Sequence, residues 1–395
     1  MNRTIIINGK FIFPGYISKN EHIIIEEGII TRISQNEPDI KSTDTVIDAH
    51  GNYVSPGFID IHTHGAGNSD FMDANIDAYL KIAKTHAMHG TTALLPTTLT
   101  SADEELFHTF NIYKQAKKQN TQGAQFLGLH IEGPYFAYNQ RGAQDPKYLK
   151  NPKYEDYMKI LSGTDDIVRW SIAPEIDGAL QLGKVLQERG ILASVAHTDA
   201  ICEEVIEAFH CGYTLMTHFY SAMSTVTRKN AHRYAGAVEA GYLLDNMDLE
   251  IIADGIHLPK SLLQLIYKIK GPDKIALVTD SMRAAGMPDG MYKLGSLEQG
   301  QEVIVEDGVA KLPDRSAFAG SVATADRLVR TMVQIAEVPL VEAVKMMTLT
   351  PARILKLNHK KGSLEKDKDA DIVIFDEHIN IQTTIIGGKS VYKQI

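Results

Sequence analysis

At 395 residues, 44 % apolar and 23 % charged, the chain has the make-up of an ordinary soluble globular protein, at a length that an α/β barrel with insertions reaches. Its 40 Lys+Arg against 49 Asp+Glu leave a net charge of −9, which gives no footprint for nucleic acid, so an anionic ligand needs a local basic pocket. The start, MNRTIIINGKFIFPG, is too short in apolar residues for a signal peptide, no apolar run approaches the roughly eighteen residues of a membrane span, and the two cysteines, Cys202 and Cys211, predict reduced thiols in a cytoplasmic protein.

Residues 1–55 read as short strands: RTIIINGKFIF, EHIIIEEGIITRIS and TDTVIDAHGNYVSPG are β-branched runs broken by Asn-Gly, Glu-Gly and His-Gly turns. From 57 to about 350, apolar runs alternate with helix-like stretches. The runs FIDIHTH, TTALLPTT, QFLGLHIEG, IVRWSIAPE, ILASVAHTD, YTLMTHFY, LEIIADGIH and KIALVTDS make eight candidate strands, the number of a TIM-like (β/α)8 barrel. Residues 285–320 break that rhythm with strand signals of their own (MYKLGS, QEVIVEDGVAKL) and read as a β insertion after the eighth strand. Residues 361–395 return to β. The expected organisation is therefore a discontinuous small β-sandwich domain, 1–56 plus 357–395, around a catalytic barrel, 57–356.

Most of the eight runs end in a residue type that ligates metals. His62 and His64 follow FIDI, Glu132 follows FLGLHI, His197 follows ILASVA, His218 follows YTLMT, His257 lies just past LEIIAD, and Asp280 follows KIALVT. In a barrel the strand C-termini converge on one mouth, so groups far apart in sequence meet there. His62 and His64, two apart on a strand, share a face. Imidazoles with a carboxylate suit Zn2+ best, with Fe2+, Mn2+ or Co2+ as alternatives, one or two ions per subunit. Water on such an ion titrates near neutrality, and Asp280 is placed to take its proton and pass it to a leaving group. A lone histidine at a strand end is more often a hydrogen-bonded structural residue, and His86, His89 and His130 read that way. Core packing does not account for the whole set, because an unpartnered buried charge costs several kcal/mol.

Together, HTHG after PGFID, HIEGPY, AHTDA, THFYSAM, ADGIHL and VTDSMRAAGMPDG resemble the amidohydrolase superfamily and, more narrowly, its N-acetylglucosamine-6-phosphate deacetylases, over nearly the whole chain. The resemblance implies hydrolysis of the acetamido group of a sugar phosphate, in cytoplasmic amino-sugar catabolism or cell-wall recycling, by a homodimer. It implies Glu132, His197 and His218 as the main metal ligands, His62 and His64 as a second metal position, Asp280 as acid/base, and His257 as the group that polarises the acetyl carbonyl or orients the sugar. The substrate contacts it implies are Ala143, Gln144, Ser221, Ala222, Arg228 and Arg233, with Phe318, Ala319 and Gly320 closing over the sugar. Three departures stand out. Ser221 replaces a usual Asn, Gln144 replaces a common His, and the loop STVTRKNAHRYAGAVEAG is long, making Arg228, Lys229, His232 and Arg233 all candidates for phosphate.

Two other classes compete. A dihydroorotase-like or other cyclic-amide hydrolase needs a carboxylated Lys on a middle strand, and no Lys closes any of the eight runs. A sugar-phosphate sensor on a decayed barrel would not need every acid, base and ligand type retained. Within the deacetylases, another N-acetyl-hexosamine phosphate, such as the galactosamine epimer, is the nearest alternative substrate.

Overall fold

The eight apolar runs all become strands: Phe58–Thr63, Thr91–Pro96, Leu129–Glu132, Ile167–Ile172, Leu192–Val195, Tyr213–Met216, Asp248–Ile251 and Ile275–Leu277. Each of these pairs in parallel with the next, the second and third meeting through a single parallel bridge, Thr97 to His130. The sheet curls until its ends touch: the Asp280 N–H donates to His62 O at 2.9 Å and the His64 N–H to Ser281 O at 2.8 Å. The computed structural model describes residues 3–394. Every position of the first two strands is buried, as expected of parallel strands covered on both faces.

Helices return the chain from one strand to the next. Ile76–Met88 shows why these segments coil: Asn75 caps it by accepting from the Ala78 N–H, and Ala78, Tyr79, Ile82, Ala83 and His86 form the buried stripe that meets the sheet. After the eighth strand, Gly290–Leu294, Gln301–Glu306 and Val309–Lys311 form an antiparallel three-stranded sheet. Its apolar face packs on Met282 and Ala284 through Leu294, Val303, Val305 and Ala310, which holds the insertion against the mouth of the barrel.

The chain ends pair with each other. Ile372–Phe375 lies between Ile381–Ile386 and Tyr53–Pro56 in a six-stranded sheet that also holds Lys10–Phe13. A second sheet contains Thr4–Ile7, His22–Glu26, Ile29–Ser34 and Thr45–Asp48. Ile6, Ile23, Ile25 and Ile30 of that sheet share one apolar cluster with Phe11, Val54, Ile372, Ile374 and Ile385 of the other. Cys202 and Cys211 are free and buried. Among the described residues no helix is long and apolar enough to cross a membrane.

Candidate active site

The strand ends bring their polar residues together at one mouth. His197, His218 and Asp280 each sit at positive φ (46°, 28° and 45°) just past their strands. Non-glycine residues there cost about 1–3 kcal/mol, a strain typical of sites that need one side chain aimed in one direction.

Glu132 is the hub. Its Oε1 lies 3.3 Å from His62 Nε2, 3.4 Å from His218 Nε2 and 3.6 Å from His197 Nε2, and its Oε2 lies 3.4 Å from His64 Nε2. The carboxylate thus belongs to two adjoining groups, His62–His64–Glu132 and Glu132–His197–His218, each compact enough to hold an ion. Asp280 Oδ1 stands 3.3 Å from His62 Nε2 and 3.2 Å from His64 Nε2. Gln144 caps the hub: its Nε2 donates to Glu132 Oε2 at 2.8 Å, and its Oε1 accepts from the Thr100 N–H at 3.0 Å.

The donor chemistry fits a cation. His197 Nδ1 can only donate to Gln140 O (2.8 Å), and His218 Nδ1 to Ser221 O (3.1 Å), because a carbonyl accepts. Their Nε2 atoms therefore carry lone pairs, and these face each other at 3.2 Å. His62 Nδ1 is likewise taken up, by Glu250 Oε1 at 2.6 Å, and its Nε2 stands 3.3 Å from His64 Nε2. Opposed lone pairs repel unless a positive charge sits between them. The titration of the groups points the same way. Burial opposes charge on His62, yet Asp280, Glu250 and Glu132 outweigh it and hold its pKa well above the ordinary histidine value. His64 is raised to about 9 against burial by Asp280 and Glu132. Burial would raise Asp280, but His62 and His64 hold it down at about 2, so it is a base at neutral pH.

Around this centre lies a cavity of about 310 Å³ lined by His64, Glu132, His197, His218, His257 and Asp280, together with Ala143, Gln144, Ser221, Ala222, Phe318 and Gly320. His257 is held from behind: its Nδ1 donates to Asp254 Oδ2 at 2.8 Å, and its ring packs 4.6 Å from that of Phe318. Of the residues expected to touch substrate, three lie elsewhere. Ala319 turns into the core of the insertion, where its N–H donates to Ala310 O. Arg228 and Arg233 face each other across a short exposed hairpin, Thr227–Lys229 with His232–Tyr234. Asn230 and Ala231, at φ 49° and 69°, make its tight turn and fold the basic residues together outside the cavity. Among the described residues, no Lys or Arg lines the cavity.

His130 is satisfied on both nitrogens, by Thr97 Oγ1 at 3.1 Å and Ser171 Oγ at 2.7 Å, and is structural. His86 meets Thr63 Oγ1 at 3.0 Å, and His89 meets Asp326 at 3.2 Å. Sequence reasoning passed over Asp254, Glu250 and Arg169. Asp254 had a signal, three residues before His257 in ADGIH. Glu250 and Arg169 sit inside apolar strand runs, where one polar residue reads as a solvent-facing position.

Residues 53–391 match the amidohydrolase family, and the chain belongs to it: the protein is a metal-dependent hydrolase. The chain is 37 % identical to an N-acetylglucosamine-6-phosphate deacetylase from Lysinibacillus sphaericus, over 87 % of this chain and 86 % of that one. It is 31 % identical to an N-acetylgalactosamine-6-phosphate deacetylase from Escherichia coli O157:H7, over 92 % of this chain and 93 % of the relative. The crystal structure of N-acetylglucosamine-6-phosphate deacetylase from Pasteurella multocida superposes with a TM-score of 0.92 at 27 % identity, covering 99 % of this chain and all of the other. The resemblance drawn from the motifs is thereby borne out.

Proposed function

We propose that the chain removes the acetyl group from N-acetyl-D-glucosamine 6-phosphate, giving D-glucosamine 6-phosphate and acetate. The observation that carries this reading is one carboxylate, Glu132, shared by two histidine groups, with Asp280 alongside both His62 and His64 in the same cavity. Zinc is the metal that this donor set favours, held by Glu132, His197 and His218, with a second ion on His62 and His64. When bound, a divalent cation lowers the pKa of water and polarises the acetyl oxygen.

The chain's own groups do the rest. Asp280, ionised at neutral pH, takes the proton of the attacking water and delivers it to the amide nitrogen as the C–N bond breaks. His257, its Nδ1 proton committed to Asp254, presents Nε2 to the acetyl group or the sugar. Ala143, Gln144, Ser221, Ala222, Phe318 and Gly320 define the sugar's place. With no Lys or Arg on the cavity wall among the described residues, the phosphate falls to the exposed hairpin, Arg228 foremost and Arg233 next, reaching the cavity of a second copy in a homodimer. The reading extends to a cytoplasmic enzyme of amino-sugar metabolism, built as a barrel at 57–356 with a small β-sandwich domain from 1–56 and 357–395. The galactosamine epimer is the second reading, favoured by the Escherichia coli relative.

Metal analysis of purified protein, with acetate release measured on N-acetylglucosamine and N-acetylgalactosamine with and without 6-phosphate, tests the proposal. Metal-dependent release fastest from the phosphorylated glucosamine supports it. Faster turnover of the galactosamine phosphate moves the assignment to the second reading, and no acetate from any sugar overturns both.

A further inference from the structure

Glu250, on the seventh barrel strand, is fully buried beneath the histidine centre. Its Oε1 accepts from His62 Nδ1 at 2.6 Å and from the His218 backbone N–H at 3.2 Å. One oxygen atom thus touches a histidine of each metal-ligand group. The other oxygen pairs with Arg169, also fully buried, on the fourth strand. Arg169 is itself fixed, donating to Ile61 O at 2.9 Å on the first strand, Ser194 Oγ at 3.2 Å on the fifth and Thr217 Oγ1 at 3.0 Å just past the sixth. A carboxylate so anchored cannot swing, and a ring nitrogen facing a carboxylate carries the proton.

Resting on the metal-site reading above, we infer that Glu250 is a positioning residue that locks His62 in its Nδ1–H form, aims the Nε2 lone pair at the ion, and ties the two histidine groups into one register. An imidazole free of this partner can move its proton to Nε2, and in that form it cannot ligate from Nε2. The part played by Arg169 is to hold Glu250 still and to balance its charge.

The experiment compares two variants that both remove the charge pair. Arg169→Met with Glu250→Leu replaces it by apolar side chains, a change that buried pairs often tolerate. Arg169→Met with Glu250→Gln keeps an oxygen that can accept from His62. Zn2+ affinity is read by competition with a chromophoric chelator, and folding by thermal unfolding of the metal-free proteins. The inference expects the Leu variant to fold and to bind the ion of the His62–His64 group roughly 10–100-fold more weakly, with the Gln variant recovering most of the loss. Affinity in the Leu variant equal to wild type overturns the inference alone. Wild-type protein that takes up no metal overturns the metal-site reading, and this inference with it. Should neither variant fold, 15N-histidine NMR of wild-type protein loaded with 113Cd decides: cadmium coupling to His62 Nε2 with a proton on Nδ1 supports the assignment, and coupling to Nδ1 overturns it.

Discussion

Replacing Gln144 by leucine removes two hydrogen bonds from the centre while leaving side-chain bulk nearly unchanged. The amide that donates to Glu132 Oε2 at 2.8 Å is lost, and so is the carbonyl that accepts from the Thr100 N–H. Gln144 is only 7 % exposed, so water does not readily substitute. A hydrogen bond to a charged group contributes about 1.5–3 kcal/mol, and an orphaned buried donor costs about 1–3 kcal/mol. The two losses fall in different places. Freeing Glu132 loosens the residue that both histidine groups share, so kcat/KM should drop roughly ten- to hundred-fold, at one decade per about 1.4 kcal/mol. Orphaning Thr100 destabilises the fold by the second amount. Steady-state kinetics at saturating metal reads the first and urea unfolding the second. Gln144→His, which restores the residue usual in the resembled deacetylases and can still donate to Glu132, should lose far less activity than Gln144→Leu. A leucine variant within a factor of two of wild type in both assays would refute the view that Gln144 holds Glu132 in place.

Replacing His62 and His64 together by asparagine should lower bound metal by one ion per chain, measured by elemental analysis; unchanged stoichiometry would make the pair structural. Arg228→Ala should raise KM for the 6-phosphorylated sugar roughly tenfold or more, the loss of one charge-assisted bond, and leave hydrolysis of the unphosphorylated sugar unchanged. Equal losses on both sugars would assign Arg228 to folding or assembly instead. His86 carries a pH prediction: burial depresses its pKa to about 3, while in the unfolded chain it protonates near 6.5. Below about pH 6.5 the unfolded chain therefore binds the extra proton, and this contribution to stability is lost as pH falls toward 3, by about 1.4 kcal/mol per pH unit. Urea unfolding of metal-free protein should show the stability gap between wild type and His86→Gln narrowing from pH 7 to pH 5, and a constant gap would remove His86 from the account.

The strand ends were legible because their chemistry interrupts an apolar run at its last residue. FIDI stops at His62, LGLHI at Glu132 and KIALVT at Asp280, and nothing in core packing asks for charge there. The return of the chain's end to its beginning was legible from β-branched runs at both ends. Glu250 and Arg169 were not, because their partners come from other strands. Arg169 reaches Ile61, Thr217 and Ser194, residues 25 to 108 positions away in sequence, and only the curl of the sheet makes them neighbours. The path of the basic loop was not legible, for a local reason. Its distance from His218 suggested the mouth of the barrel, but the turn at Asn230 and Ala231 pairs Arg228 with Arg233 on an exposed hairpin. Ala319 likewise follows its burial, which takes it into the core of the insertion.

In the proposed function, this chain hydrolyses an acetamide through a base at Asp280 beside a metal held by its histidines. Acetate release from N-acetylglucosamine 6-phosphate by wild type and by Asp280→Asn, with metal content measured on the same samples, tests it most directly. The asparagine is nearly isosteric but cannot take the proton, so the rate should fall about 10²–10⁴-fold with metal content largely unchanged. Turnover by the variant within a few-fold of wild type would contradict the claim.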